Sequence, residues 1–308
     1  MGTGYPCPER ANPGQCVRPA QRSGWLNLRV TSVDQFAYGW ITPALALAMS
    51  MLGGLLGTFL TSRSRAFTGA RRTRWLTLAA LAIGGSGTWV PHFMAMLGVD
   101  VPDTVVRYDI LTTALGFGIA VVVYCLGLYL VGFGPPSLGK ILPAGVLTGI
   151  GLTAVYATGP LSMRVAGVVA FDPRTLLIGL GAAIVSAIVT LWCVSVVRGL
   201  PSMVCAAVIM SFAVGSTHYI VMAALRVTPA PTTAAVPGVT LFAMLAPVCV
   251  LACVLLAGLA YSTVGFTVRQ DTAREEALLS QARDMYSLAT FARGRERDRG
   301  EPAVPSHR

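Results

Sequence analysis

The sequence predicts an all-α fold: a polytopic membrane bundle of seven transmembrane helices with a three-fold helix-pair repeat. Three observations carry that expectation. Hydrophobic residues make up 54% of the 308-residue chain and charged residues only 12%, about half the charged share of a soluble domain. Seven apolar stretches are each long enough to cross a hydrocarbon layer of about 30 Å, which takes about 20 helical residues. A short pattern centred on an imidazole or phenol recurs at near-equal spacing in three of those stretches.

The stretches fall near 39–61, 75–98, 109–133, 141–163, 175–198, 203–225 and 238–265. Gly and Pro are frequent in them, as membrane helices allow. The first two are joined by residues 62–74, where Arg63, Arg65, Arg71, Arg72 and Arg74 stand with no acid. The excess of basic residues in a short loop places that loop in the cytoplasm. Lys140 and Arg198 fall in the next loops on the same side. The opposite loops mix charges: Asp100, Asp103, Arg107, Asp109, Arg164, Asp172, Arg174 and Arg226. A multi-pass protein of the cell membrane is expected, its amino terminus outside and its carboxyl terminus cytoplasmic. The net charge of +10 is then a matter of orientation, and the lipid bilayer rather than nucleic acid is the expected partner. Arg164 and Arg226, just past the fourth and sixth stretches, are expected to snorkel to the interface.

Outside the stretches, residues 1–33 are polar and rich in Gly, Pro and Arg. They lack the apolar core of a signal peptide and read either as a disordered extension or as a mis-assigned start. Residues 34–266 form the expected membrane domain and 267–308 a cytoplasmic charged tail. The tail opens on a weak amphipathic pattern through Glu275, Glu276, Leu278, Leu279, Ala282, Met285, Tyr286 and Leu288. Cys125, Cys193, Cys205, Cys249 and Cys253 lie in apolar stretches and are expected to be small buried hydrophobes. Cys7 and Cys16 could pair only if the amino-terminal segment is outside the cell.

Only three histidines occur. His307 is in the tail, whereas His92 and His218 sit in apolar surroundings, each followed by an aromatic residue (Phe93, Tyr219) and, four positions on, by a methionine (Met96, Met222). Positions i and i+4 share a helix face, so each stretch presents an imidazole beside a thioether, half a site for a soft transition metal. Ionisable side chains within a membrane helix are costly and usually functional, although an isolated histidine there also serves as a structural hydrogen bond. Met94, Met96 and Met222 alone would read as core filling. Pro91 is expected to kink the second stretch just before His92.

The histidines belong to a longer repeat. Unit one runs Gly87-Thr88-Trp89-Val90-Pro91-His92-Phe93-Met94-Ala95-Met96-Leu97, and unit three Val214-Gly215-Ser216-Thr217-His218-Tyr219-Ile220-Val221-Met222. Between them Gly151-Leu152-Thr153-Ala154-Val155-Tyr156-Ala157-Thr158-Gly159-Pro160 is a degenerate unit two, with Tyr156 in the histidine position. Tyr156 follows His92 by 64 residues and His218 follows Tyr156 by 62. All three fall one to two turns from the outer end of their stretches and so share one depth.

This repeat resembles the MHYT family of bacterial integral-membrane sensor domains, whose Met-His-Tyr motifs lie near the outer face of three of seven helices. The opening of the first stretch, Asp34-Gln35-Phe36-Ala37-Tyr38-Gly39-Trp40-Ile41-Thr42-Pro43, is similar to stand-alone members; the resemblance covers roughly 33–265. It implies a sensory role with oxygen, carbon monoxide or nitric oxide as signal and copper as cofactor. Carried over by position, the metal ligands are His92, Met96, His218 and Met222, with Met94, Tyr156 and Tyr219 around them. The chain departs from the family: the methionine before each histidine is replaced by Pro91, Val155 and Thr217, and unit two has Pro160 in place of its later methionine. Two imidazoles and two thioethers still suit Cu(I), and the Tyr156 hydroxyl is expected to hydrogen-bond an imidazole. An unknown separate cytoplasmic partner would take the output. A small-molecule or ion transporter, and a metal-free protein with a relic motif, remain alternatives. No enzyme is expected: the stretches hold no carboxylate pair, no HExxH and no GxSxG.

Overall fold

The computed structural model describes residues 35–37, 39–101, 105–229, 236–240, 243–244, 246–261, 275–276, 278–283 and 285. The expected extension 1–33, His307, the possible Cys7–Cys16 pair and most of the tail lie outside the described residues. Within the tail, Glu275, Glu276, Leu278 and Leu279 are helical, in line with the short helix expected there.

The fold is all-α. Helix α1 (Ile41–Ser64) is followed by α2 (Gly69–Ala80), a π-helical segment (Leu81–Trp89) and α3 (Val90–Met96), then by α4 (Ile110–Gly132), α5 (Leu138–Ser162), α6 (Pro173–Val196), α7 (Leu200–Ala223) and α8 (Ala246–Tyr261). Five of them, α1 and α4–α7, are long and apolar enough to cross a membrane. Their outward residues are apolar: Leu111, Ile178 and Phe212 are all exposed, which a bilayer explains and water does not. The second expected stretch is helical from end to end but changes pitch in its middle. The seventh starts later than expected: Val239 and Thr240 pair as a strand, and the described residues are helical from Ala243. Helix α7 starts earlier than expected, at Leu200, with Pro201 in its first turn, where a missing N–H costs nothing.

The helices close into a ring. Around it run α1, the α2–π–α3 unit, α4, α5, α6 and α7, which returns to α1. Small residues let the backbones touch, as membrane packing requires. A Cβ on Gly53 of α1 would meet the backbone of Gly87 at 2.4 Å, and one on Gly149 of α5 would meet Ile184 of α6 at 2.4 Å.

The π segment answers Pro91. Proline has no N–H and its ring crowds the carbonyl four residues back, here that of Gly87. In the wider π turn the Val90 N–H bonds Gly85, and the Gly87 carbonyl accepts instead from Ser50 Oγ of α1 at 2.7 Å. Just before His92, where the kink was expected, the helix changes pitch.

At one end of the ring the connections form short antiparallel ladders that the sequence reading did not foresee. Strands β1 (Arg107–Tyr108), β2 (Met163–Arg164) and β5 (Val239–Thr240) make one, in the order β2-β1-β5; β3 (Gly167–Phe171) and β4 (Leu225–Pro229) make another. Gly167 pairs with Pro229 and Phe171 with Leu225. Asp109 and Asp172 cap α4 and α6 by accepting from the Thr112 and Thr175 N–H groups at 2.8 and 3.2 Å. The two arginines expected only to snorkel are engaged here: Arg164 pairs with Asp109 at 3.3 Å, and Arg226 donates to the Ala223 carbonyl at the end of α7. Of the five cysteines expected to be buried, Cys193 is buried and Cys125 half-buried, but Cys205, Cys249 and Cys253 are exposed on the outward faces of α7 and α8, where lipid rather than core accepts an apolar thiol.

Candidate functional site

Helices α3, α5 and α7 are alternate members of the ring, yet they touch one another near its ladder-bearing end. His92, Tyr156 and His218 lie there, each one to two turns from the end of its helix. His92 Nδ1 and His218 Nδ1 face each other at 2.8 Å. Both residues are buried, and Tyr156 is fully so. The Tyr156 ring stands edge-on to the His92 ring, with centroids 5.1 Å apart, and lies 6.5 Å from that of His218. Three positions matched in the sequence thus meet at one point.

A 2.8 Å contact between two Nδ1 atoms fixes their chemistry. One ring carries the proton and the other offers a lone pair, so the facing nitrogens share one hydrogen. That leaves His92 Nε2, which is buried and has no hydrogen-bond partner among the described residues. It is pressed against α5: a Cβ added to Gly159 would fall 2.5 Å from Nε2 and 3.3 Å from Met96 Cγ. A buried polar atom without a partner costs about 1–3 kcal/mol, and such atoms in native structures mark strain or function.

The other expected residues are distributed unevenly. Met96 is buried and shares the Gly159 surface with His92. Met222 is buried one turn beyond His218 on α7. Met94 is half-buried against the core. Tyr219 stacks on Phe36, with ring centroids 5.4 Å apart, and meets the edge of His218 at 5.0 Å. The Tyr156 hydroxyl departs from expectation: it donates to the Val214 carbonyl at 3.4 Å, not to an imidazole, because the ring enters the site edge-first and its tip runs on to α7.

Two features escaped the sequence reading. Ser50 of α1 binds the π segment, as above, and lines a cavity of about 20 Å³ with Pro43, His92, Ser211, His218 and Tyr219. That is room for about one water-sized molecule. Gly159 is the second: in the histidine-bearing units the equivalent places are held by Ala95 and Val221, and only the missing side chain of unit two admits the His92 ring.

A metal ion fits the donor set in kind. Two imidazole nitrogens face one another, and Met96 and Met222 are buried one turn further along α3 and α7, a set of donors that suits a soft ion. It fits the spacing only after the rings part, since two bonds of about 2.0 Å hold bridged nitrogens roughly 3.3–4 Å apart. Among the described residues no group of three or more His, Cys, Asp or Glu could hold a metal, so any such site rests on the two histidines and neighbouring sulfur.

Residues 85–144 match the family model MHYT, described as the bacterial signalling protein N terminal repeat. The chain carries an MHYT repeat. The match contains His92 and the last five residues, Gly85 to Trp89, of the π segment before it. Two curated proteins of Pseudomonas aeruginosa are similar to this MHYT-bearing chain. One is the cyclic di-GMP phosphodiesterase NbdA, 29% identical over 189 residues, which are 59% of this chain and 24% of that protein. The other is the bifunctional diguanylate cyclase/cyclic di-GMP phosphodiesterase MucR, 26% identical over 193 residues, 61% of this chain and 28% of that protein. The chain thus spans about a quarter of the length of the curated relatives it matches, and what is shared is the MHYT region. No solved structure matches.

Proposed function

We propose that this chain is a multi-pass membrane sensory module of seven spans and three MHYT units, and that it detects a diatomic gas through copper held at His92 and His218. A membrane signalling role follows from the MHYT repeat and the apolar helices. The observation that carries the finer reading is the facing pair of Nδ1 atoms at 2.8 Å, a breakable hydrogen bond between α3 and α7. The adjoining cavity of about 20 Å³ favours a signal of two atoms over a larger ligand. Copper bound there would supply an open coordination position for the gas. The chain's own part is to bring His92 Nδ1 and His218 Nδ1 together, with Met96 beside them, and to exclude bulk water. In this reading the α1–α2 loop faces the cytoplasm, α8 is the seventh span, and output passes to a separate cytoplasmic partner.

The test is the metal content of the detergent-purified protein, expressed with copper present, measured by elemental mass spectrometry beside the His92→Ala/His218→Ala variant. About one copper per chain is expected, lost in the variant. A wild-type protein free of copper sinks the metal reading. Carbon monoxide or nitric oxide added to the copper-loaded protein should then perturb its spectrum, and an unchanged spectrum sinks the gas reading.

A further inference from the structure

The ring leaves a second opening at its other end. Between the second half of α1, the first turn of α7 and α8 lies an apolar groove of about 340 Å³, lined by Leu52, Leu56, Phe59, Met203, Leu256 and Ala260. On α1 it runs from Leu52 to Phe59, and on α7 it takes in Leu200 and Met203 of the first turn.

The mouth of this groove is cationic. The Arg63 guanidinium sits 5.2 Å over the Phe59 ring, and Phe59 is itself a wall. Arg198 is exposed in the turn that leads into α7. Burial first, then the neighbouring charges of Arg198 and Arg72, hold the Arg65 guanidinium below its ordinary range. Arg65 is fastened by donating to the Val194 and Ser195 carbonyls at 2.6 Å, and Arg72 donates to the Gly132 carbonyl. Residues 62–74 contain no acid.

An apolar slot with one guanidinium over its Phe59 wall and another two residues before its Leu200 wall matches one chemistry: an acyl chain below a phosphate. We propose that this groove is a binding site for a single anionic phospholipid, its chain against Phe59, Met203 and Leu256 and its phosphodiester at Arg63 and Arg198. Basic pockets between membrane helices on the cytoplasmic side hold such headgroups. The site is independent of the histidine pair and lies at the opposite end of the ring.

The test is native mass spectrometry of the detergent-solubilised full chain, titrated with phosphatidylglycerol, phosphatidylcholine or inorganic phosphate. One phosphatidylglycerol should be retained in preference to phosphatidylcholine. The Arg63→Ala/Arg198→Ala variant should bind it roughly 25-fold less tightly, about five-fold per arginine, while Arg63→Lys/Arg198→Lys keeps most of the affinity. Ala260→Phe, which fills the groove and leaves the charges in place, should also weaken retention. Equal retention of both lipids, or phosphatidylglycerol binding unchanged in the charge and groove variants, overturns the proposal. So does inorganic phosphate bound as tightly as the lipid and indifferent to Ala260→Phe, for then the arginines form a phosphate site that needs no chain. A variant that elutes aggregated is replaced by the single substitution Arg198→Ala, expected to lose about five-fold.

Discussion

Gly159 shows how a missing side chain builds a site. In most helices Gly→Ala is favourable by roughly 0.5–1 kcal/mol, because glycine has the larger conformational entropy to lose. Here the added methyl would fall 2.5 Å from His92 Nε2, and the ring is not free to retreat, since its Nδ1 is bonded to His218. Overpacking costs about 1–3 kcal/mol, so the clash outweighs the gain. Gly159→Ala is expected to lower the unfolding midpoint of the purified protein in detergent; a raised midpoint would show that Nε2 is not seated against α5. The histidines themselves were legible in the sequence, because an imidazole in an apolar stretch stands out. Their mutual contact was not, since nothing in two separate segments says which ring nitrogens will face each other. The same limit explains Tyr156. Its position was legible, but the destination of its hydroxyl depends on where α7 passes.

Helices were easier to read than the ways they end or bend. Long apolar runs marked α1 and α4–α7 to within a few residues. The π segment was hidden, because its cause is shared between Pro91 and a serine on another helix, Ser50. The ladders were hidden too, being only two to five residues long and paired across distant parts of the chain. Their anchors can be tested by pH. The Asp109 carboxyl is held below its ordinary range by the Thr112 N–H and hydroxyl, then by Arg164; Asp172 is held down by the Thr175 hydroxyl and N–H. A carboxyl with a depressed pKa in the fold adds stability that is present above its unfolded pKa, about 3.9. That stability is lost as pH falls through the folded value. The melting midpoint should therefore decline below about pH 4, and the decline should be shallower in Asp109→Asn/Asp172→Asn, where asparagine still caps each helix but cannot titrate. Superimposable pH profiles would rule out these two carboxylates as anchors.

For the molecule as a whole, the two ends of the ring differ in chemistry. One carries the ladders, the capped aspartates and the histidine pair; the other carries Arg63, Arg65, Arg72 and Arg198 and the apolar groove. The proposed orientation can be checked with an impermeant maleimide, using single cysteines placed in a background whose native cysteines are replaced. Val168→Cys, exposed on β3, should react in intact cells, whereas Thr68→Cys, exposed between α1 and α2, should react only after permeabilisation. The reverse pattern would invert the protein and put the histidines near the inner face. Assembly of the ring also has an order in time. The bond between His92 and His218 joins residues 126 apart in the chain, and α7, which carries the second, also closes the circle against α1. Chains are made from the amino terminus. A nascent chain that has inserted α1 to α6 therefore holds an open arc with a lone imidazole in lipid, and the site comes into being only with the last helix of the ring. Any lesion that delays α7 leaves that arc exposed to the proteases that clear unfinished membrane proteins.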